Sequence, residues 1–338
     1  MTSAPRTSDE PIWAAWMAAF HLPTVAVADE LRLFDVVRDE PRGASAIADA
    51  LQVELRATEA IASLMTSLGF LVLSDGRYAI TDLARTYLLS DSPYYWGGML
   101  RRVRENPIDC RKLIESLRRG KAASEAALTG MWEAPVPPPA ALVAFTHAMH
   151  AHSFALAMRV AQLLDINDTS RLLDVAGGSG SYSIAAALNR PNLTCTIFEL
   201  PPVCEVARSY AEKHGVADRI ATATGNMFSD GWPTGHDRLL MADIFHDWGD
   251  ARCALLAKKA FDALVPGGKV LLHEMLLSDA KDGPLGATSY SMIMVYVTEG
   301  RQRSAIELRE LLVTAGFVDV RVTPTANGFA LIEGTKPQ

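Results

Sequence analysis

Apolar residues first recur along the chain at the spacing of one helix face: Ile12, Trp16, Ala19 and Phe20, then Val25, Val27, Leu31, Leu33 and Phe34. The pattern predicts an opening helical segment from Pro11 to about Val37, rich in Ala and Trp, which covers a core or a partner chain. The following stretch, GASAIADALQVELRATEAIASLMTSLGFLVLSDGRYAITDLA, has the rhythm of a winged helix. Ser45 is placed to cap a helix ending near Leu51, and a second helix runs from about Leu55 to Leu68 and stops at Gly69. FLVLSDGRYAIT then reads as a hairpin turning at Asp75-Gly76. Residues 90–165 read as a helical connector, interrupted by TGMWEAPVPPPAA, where Pro137, Pro138 and Pro139 permit only loop or polyproline. After it, ALVAFTHAMHAHSFALAMRVAQLL is a long amphipathic helix.

From Arg171 the rhythm changes to alternating strand and helix. RLLDV is a strand, followed by a glycine turn and the helix SYSIAAAL; CTIFEL is a second strand, followed by a helix through VCEVARSYAEKHG. RIATATGN and DRLLMADIF are the third and fourth strands. ARCALLAKKAFDALVPGG reads as a helix stopped at Pro266-Gly267-Gly268, and KVLLHEML as a fifth strand. AIELRELLVTAGF is a last long helix, and VDVRVTPTANGFALIEGTK two closing strands. Repeated β-α units imply an α/β domain: a mostly parallel sheet, helices on both faces, and ligands at the carboxyl ends of its strands. The expected domains are 1–105, mainly helical with the winged helix; 106–165, the connector; and 166–338, the Rossmann-like part. No internal repeat is apparent.

At 338 residues and 49% apolar, the chain has material for two domains with sizeable cores. A net charge of −7 lacks the basic footprint of a nucleic-acid binder. The basic runs at Arg101, Arg102, Arg104 and at Arg118, Arg119, Lys121 are broken by Glu105, Asp109 and Glu115, as on a solvated helix face. The would-be recognition helix LRATEAIASLMTSLG is mostly apolar or small, so packing against another chain suits it better than reading bases. Cys110, Cys195, Cys204 and Cys253 are far apart with no C-x-x-C pair, which suits a reducing cytoplasm and argues against a zinc or disulfide framework. The polar start MTSAPRTSDEP does not read as a signal peptide, and no apolar run of membrane-spanning length is expected, so no membrane partner is implied.

Chemistry concentrates at the strand ends. In LDVAGGSGSYS, Gly177, Gly178 and Gly180 allow close approach of a ligand to the backbone. A dinucleotide fingerprint requires a third glycine where Ser183 stands, which weakens that reading. Glu199, ending the second strand, is placed to accept hydrogen bonds from both hydroxyls of a ribose. Asn226 and Met227, after the third strand, are placed to read an adenine edge and cover its face. No Lys or Arg follows the glycine turn to neutralise phosphates, which favours S-adenosylmethionine (SAM) over NAD or ATP. His246, at the end of the fourth strand, is open to three readings: catalytic base, metal ligand or satisfied core residue. An imidazole titrating near neutrality suits removal of a hydroxyl proton, and Glu274 on the fifth strand is placed to orient it. His273 alternates to the other face of that strand, and His147, His150 and His152 have no nearby carboxylate, so no metal is expected.

Together, LLDVAGGSGSYS, FELPPV, GNMF, FHDWGD and VPGGKVLLHEML resemble, in order and spacing, the SAM-dependent O-methyltransferases of the caffeic-acid and acetylserotonin type. The bacterial branch of that family works on aromatic and polyketide natural products. The resemblance covers nearly the whole chain, since the family also carries an N-terminal winged-helix dimerisation domain, and it implies a homodimer. It implies that Asp174 to Gly180, with Ala176, Gly177 and Gly178, form the SAM loop, that Glu199 binds ribose, and that Asn226 and Met227 contact adenine. Asp243 joins this cofactor set. His246 matches the general base and Glu274 one of two acids that position it; Gln302, in EGRQRS, stands in the second acid's place and Glu299 replaces a glycine. Asn226 and Ser291 also depart from the acids frequent there. Phe145, Met149, Phe154, Asp247 and Met294 fall where the family lines the acceptor pocket, and Trp96 or Trp13 where it is closed.

Gln302 can hydrogen-bond an imidazole but adds no charge to support an imidazolium. The leading expectation is O-methylation of a small-molecule hydroxyl. Transfer to carbon or nitrogen, a non-methylating reaction on the same scaffold, and a ligand-sensing winged-helix regulator are the alternatives.

Overall fold

The structure is a computed structural model describing residues 7–120, 122, 132, 139–167 and 170–338. The chain divides into two compact units, residues 1–107 and 108–338.

In the first unit the opening segment is three helices: α1 (Glu10–Ala18), α2 (His21–Glu30) and α3 (Leu33–Val36). The chain turns at Ala19–Phe20 and again at Arg32, which adopts a left-handed φ of 63°. Helix α1 buries none of its residues; Ile12, Trp13, Trp16, Met17 and the following Phe20 are all exposed. By length and composition alone, Glu10–Glu30 is apolar enough to cross a membrane, against the expectation that no such run exists. Its Trp, His and Pro interrupt the run without lowering its average hydropathy enough.

The winged-helix pattern folds as α4 (Ala44–Leu51), α5 (Leu55–Ser67) and the hairpin β2 (Leu71–Ser74) and β3 (Arg77–Ile80), to which β1 (Arg42–Gly43) adds on the other edge of β3. Asp75 and Gly76 both have positive φ, as a two-residue hairpin turn requires. Ser45 does not cap α4. Gly43 is the N-cap, because its extended backbone is already paired to Arg77 in the sheet. Helices α6 (Asp82–Tyr87) and α7 (Gly97–Glu105) complete the unit around Leu33, Phe34, Ile47, Met65 and Leu100.

The second unit begins with α8 (Cys110–Arg119) and α9 (Pro139–Val160). Of the turn-rich stretch before α9, Pro137 and Pro138 lie outside the described residues. Pro139 is not loop: it is the first residue of α9, where its missing N–H costs nothing. The sheet runs β6-β5-β4-β7-β8-β11-β10, from β4 (Arg171–Val175), β5 (Thr194–Glu199), β6 (Ile220–Thr224), β7 (His236–Ala242), β8 (Leu264–Leu277), β10 (Val318–Pro324) and β11 (Phe329–Thr335). The first five of these are parallel, and β11 and β10 close the sheet antiparallel. A short β9 (Arg303–Ser304) pairs with the end of β8. Helices α10 (Ser181–Asn189), α11 (Pro201–Lys213), α12 (Asp250–Ala263), α13 (Leu285–Val297) and α14 (Ala305–Thr314) accompany the strands.

Three boundaries differ from the pattern. Helix α12 ends at Ala263, not at Pro266, because VPGG is already strand: Gly267 N–H donates to Lys336 O and Lys336 N–H to Gly268 O. Strand β7 stops at Ala242, where Asp243 turns to a φ of 56°. Helix α13 has no counterpart in the sequence reading. Its LGATSYSMIMVYV is apolar without clear helical periodicity and rich in β-branched residues, so packing rather than propensity makes it helical. The chain leaves the β4–β7 boundary in opposite directions, which makes the carboxyl ends of these strands the crevice for a ligand.

Candidate active site

The glycine turn is built from strain and close contact. Ala176, Gly178 and Gly180 all take positive φ. A Cβ on Gly177 would lie 2.6 Å from the Asp174 carboxyl, and one on Gly180 2.6 Å from Ile197 Cδ1, while Gly178 faces open space. Asp174 is buried beneath the turn and accepts a 2.7 Å bond from Ser183 Oγ; burial raises its carboxyl to about 6. Ser183, in the third glycine's place, therefore ties down the acid under the loop. Glu199 ends β5 beside the turn, with Oε1 accepting from Gly178 N–H at 3.2 Å and Oε2 from Leu200 N–H at 2.6 Å. Burial pushes this carboxyl up to about 7. Asn226 Oδ1 accepts from Phe228 N–H at 2.8 Å, so its carbonyl serves its own turn. Met227 packs partly buried against the core.

His246 sits on a 3₁₀ turn, Phe245–Asp247, and is 4% exposed. Its Nδ1 edge faces Glu274 Oε2 at 3.2 Å, Gln302 Nε2 at 3.2 Å and Asp243 Oδ1 at 3.7 Å. Its Nε2 faces Asp247 Oδ1 at 3.7 Å. A proton on Nδ1 donates to Glu274, and the Gln302 amide then fits with its carbonyl toward that edge, since Oε1 otherwise has no partner. Glu274 also accepts, through Oε1, from Ile244 N–H at 3.0 Å and Phe245 N–H at 2.7 Å. One carboxylate thus holds both the imidazole and the backbone that carries it.

Burial by itself disfavours the imidazolium. Glu274, Asp247 and Asp243 outweigh it and push the His246 pKa up to about 10. Asp247 rises to about 7, chiefly through burial. An imidazole titrating at its ordinary value was the sequence expectation; the surrounding carboxylates overturn it for the free protein.

The segment EGRQRS brackets this turn from the far side. Arg303 donates to Phe245 O at 2.6 Å, Trp248 O at 2.9 Å and Asp250 Oδ1 at 2.7 Å, and Glu299 Oε1 accepts from Gly249 N–H at 3.1 Å. A Cβ on Gly300 would lie 2.0 Å from His246 O, so only glycine fits. The sequence reading singled out Gln302 and missed Gly300 and Arg303; the one available signal was a charged, glycine-containing segment around that glutamine.

The acceptor-side residues divide. Tyr290 on α13 sets its ring 5.1 Å from His246, and Met294, one turn further along and buried, shares that helix face. His152, half-buried beside Tyr290, has its pKa lowered to about 4, first by desolvation and then by the charge of His246. Phe154 is not brought to His246: it stacks on His150 and leans on His214, with Tyr210 stacked on His150 at 3.6 Å. Phe145 packs edge-on against Trp132, and Met149 is half-buried. Trp96 packs on the core of the first unit, and Trp13 is exposed there. The α9 histidines do not converge: His147 meets Tyr210 Oη, His150 meets Ser179 and Ser181 in the glycine turn, and His152 meets Ser153. The His150 contact, which joins α9 to the cofactor-side loop, was not legible in the sequence.

Residues 111–318 match the O-methyltransferase domain, and residues 17–90 the O-methyltransferase dimerisation domain. The chain is 32% identical over 325 residues to a 3-hydroxy-5-methyl-1-naphthoate 3-O-methyltransferase of Streptomyces sahachiroi, covering 93% of this chain and 91% of that one. It is 28% identical over 305 residues to an L-tyrosine C(3)-methyltransferase of Streptomyces lavendulae, covering 86% and 81%. The crystal structure of human N-acetylserotonin methyltransferase in complex with SAM aligns over 100% of both chains with a TM-score of 0.85 at 24% identity, a likeness that establishes the fold. With a methyltransferase domain over more than half its length and the family's dimerisation domain before it, the chain belongs to the O-methyltransferase family of SAM-dependent methyltransferases.

Proposed function

We propose that the protein O-methylates a hydroxyl on an aromatic or polyketide-type small molecule in secondary metabolism, with His246 as the base. The observation that carries this reading is the held imidazole: Glu274 sits at the Nδ1 edge of His246, which leaves Nε2, 3.7 Å from Asp247 Oδ1, as the nitrogen to take a proton. The naphthoate 3-O-methyltransferase relative supports the acceptor class.

The residues present suit SAM. Gly178 faces open space above the loop, Glu199 beside it is a carboxylate of the kind a ribose diol donates to, and both oxygens of Asp243 lack a donor in a buried site. When bound, SAM supplies a methyl group activated by attachment to a positively charged sulfur. The chain supplies juxtaposition and the proton's destination: His246 Nε2 takes the acceptor proton as the oxygen attacks, Glu274 stabilises the resulting imidazolium, and Gln302 supports the ring without adding charge. In the free site the imidazolium is already favoured. A neighbouring positive charge lowers its pKa, so filling the site moves His246 toward the neutral base.

His246→Ala should reduce turnover by roughly 10²- to 10⁴-fold while leaving SAM affinity within about a factor of two. Unchanged turnover across pH would remove His246 from the base role. A second reading, methyl transfer to carbon, draws on Gln302 in place of a charged partner and on the tyrosine C(3)-methyltransferase relative. Nuclear magnetic resonance of a product carrying a ¹³C-labelled methyl group separates carbon from oxygen attachment. The exposed apolar face of α1 and the match to the dimerisation domain support a homodimer, checked by the mass in solution.

A further inference from the structure

Around His246 lie three carboxylates with different positions. Glu274 holds the imidazole and its turn, and Asp247 faces the Nε2 edge. Asp243 faces the Nδ1 edge only from 3.7 Å, beyond Glu274 Oε2 at 3.2 Å, as a charge neighbour of the imidazole, and both its oxygens are buried with no hydrogen-bond partner. Its backbone is held at φ 56° by an N–H bond to His273 O, a conformation that Asp tolerates better than most L-residues. A buried carboxylate with no hydrogen-bond donor on either oxygen is unfavourable unless something else completes it.

Strand register says where the carboxylate lies. Asp174 pairs with Leu240 across β4 and β7, so Asp243, just past the end of β7, leaves the sheet at the same edge as the glycine loop that follows β4. On the other side Ala242 pairs with His273, which brings Asp243 level with Glu274. Along the sheet edge Asp243 therefore falls between Glu199, the ribose end of the site, and the cluster holding His246, the acceptor end. A methyl donor spanning these two ends carries its positive sulfur between them.

We propose that Asp243 is the counter-ion of the donor's sulfonium, a reading that rests on SAM being the donor. The carboxylate stabilises the charged donor and loses its partner when the methyl leaves and the sulfur becomes neutral. It thereby makes the site prefer the substrate S-adenosylmethionine over the product S-adenosylhomocysteine (SAH). Both compounds carry the same adenosine, α-ammonium and α-carboxylate, so any difference in how they sense Asp243 reports the sulfonium alone.

The test is calorimetric binding of SAM and of SAH to the full-length protein and to Asp243→Asn and Asp243→Gly, both compatible with positive φ. Each variant should lose roughly tenfold to a hundredfold in SAM affinity, the range for hydrogen bonds and contacts to a charged group, with SAH affinity changed by less than about threefold. Equal losses for SAM and SAH would overturn the proposal in favour of an ammonium anchor, and unchanged SAM affinity would overturn it outright. Asp243, His246 and Glu274 offer donor atoms within 4.8 Å of one another, so a divalent ion is the competing occupant. SAM binding that is abolished by chelation and restored by Mn²⁺ or Zn²⁺ would assign the carboxylate to a metal instead. A wild type that binds neither SAM nor SAH would refute the functional reading itself, whereas a wild type that binds both without a selective loss in the variants would refute only the role of Asp243.

Discussion

Glu274→Gln isolates the charge that poises His246. The amide has the shape of the carboxyl and keeps an oxygen for the Ile244 and Phe245 N–H groups, but it removes the negative charge 3.2 Å from Nδ1. His246 is raised from 6.5 to about 10, which at about 1.36 kcal/mol per unit is roughly 5 kcal/mol in favour of the imidazolium. A unit pair at 3.2 Å with an effective dielectric of about 20 contributes roughly 5 kcal/mol. Glu274 by itself is therefore large enough to set the direction of the shift. The variant should bring the His246 pKa down by roughly two to four units. Titration of the imidazole C–H resonances in the free protein, assigned with His246→Asn, measures this without knowledge of the acceptor. Thermal melting gives an independent check. A histidine whose folded pKa is raised stabilises the fold fully below 6.5 and loses that contribution as pH climbs toward about 10. The melting gap between wild type and Glu274→Gln should thus be wider at pH 6 than at pH 10. A His246 pKa within about half a unit of wild type, or a gap that ignores pH, would refute the assignment of Glu274 as its electrostatic partner.

Two other perturbations separate binding from chemistry. His150→Phe keeps the ring between Tyr210 and Phe154 but deletes the contacts to Ser179 and Ser181. It should weaken SAM binding roughly threefold to tenfold, the cost of one or two neutral hydrogen bonds, with little change in kcat at saturating donor; unchanged affinity would show that α9 does not restrain the loop. Glu199→Gln should weaken SAM binding and shift stability in the variant's favour as pH rises. The Glu199 carboxyl is raised by burial to about 7, so the folded state is penalised progressively as pH rises from about 4.5 to 7, which the amide escapes by up to roughly 3 kcal/mol, while at every pH it loses one of the two N–H bonds from Gly178 and Leu200. A melting difference from wild type that is the same at pH 4 and pH 8 would contradict this sign.

Much of the framework was legible in residue order because its signals are local. Short apolar runs bounded by glycine or polar residues marked β4 to β8, and an acid at the end of a parallel strand emerges at the sheet's carboxyl edge, as Glu199 does; His246 follows four residues past β7, on a turn of its own. The hairpin at Asp75-Gly76 was equally local. Where local preference was weak, the reading failed: α13 has no clear helical stripe, Pro139 opens a helix, and VPGG joins a strand that β11 pairs.

What tertiary structure alone decided is how the side chains at that edge meet. Phe154 turns toward α11 and Tyr290 takes a place beside His246, because face and rotation on a helix depend on what it packs against. Glu274, Gln302 and Arg303 come from sequence positions 28, 56 and 58 residues away from the His246 turn and its neighbours, brought together by the pairing of β7, β8 and β9. The sequence by itself determined which groups stand at the strand ends, Glu199 and Glu274 among them. Only the folded chain determined that Nδ1 belongs to Glu274 and that Asp243 is left without a donor, because distances of a few ångströms, and the charge states they set, are properties of packing and not of residue order.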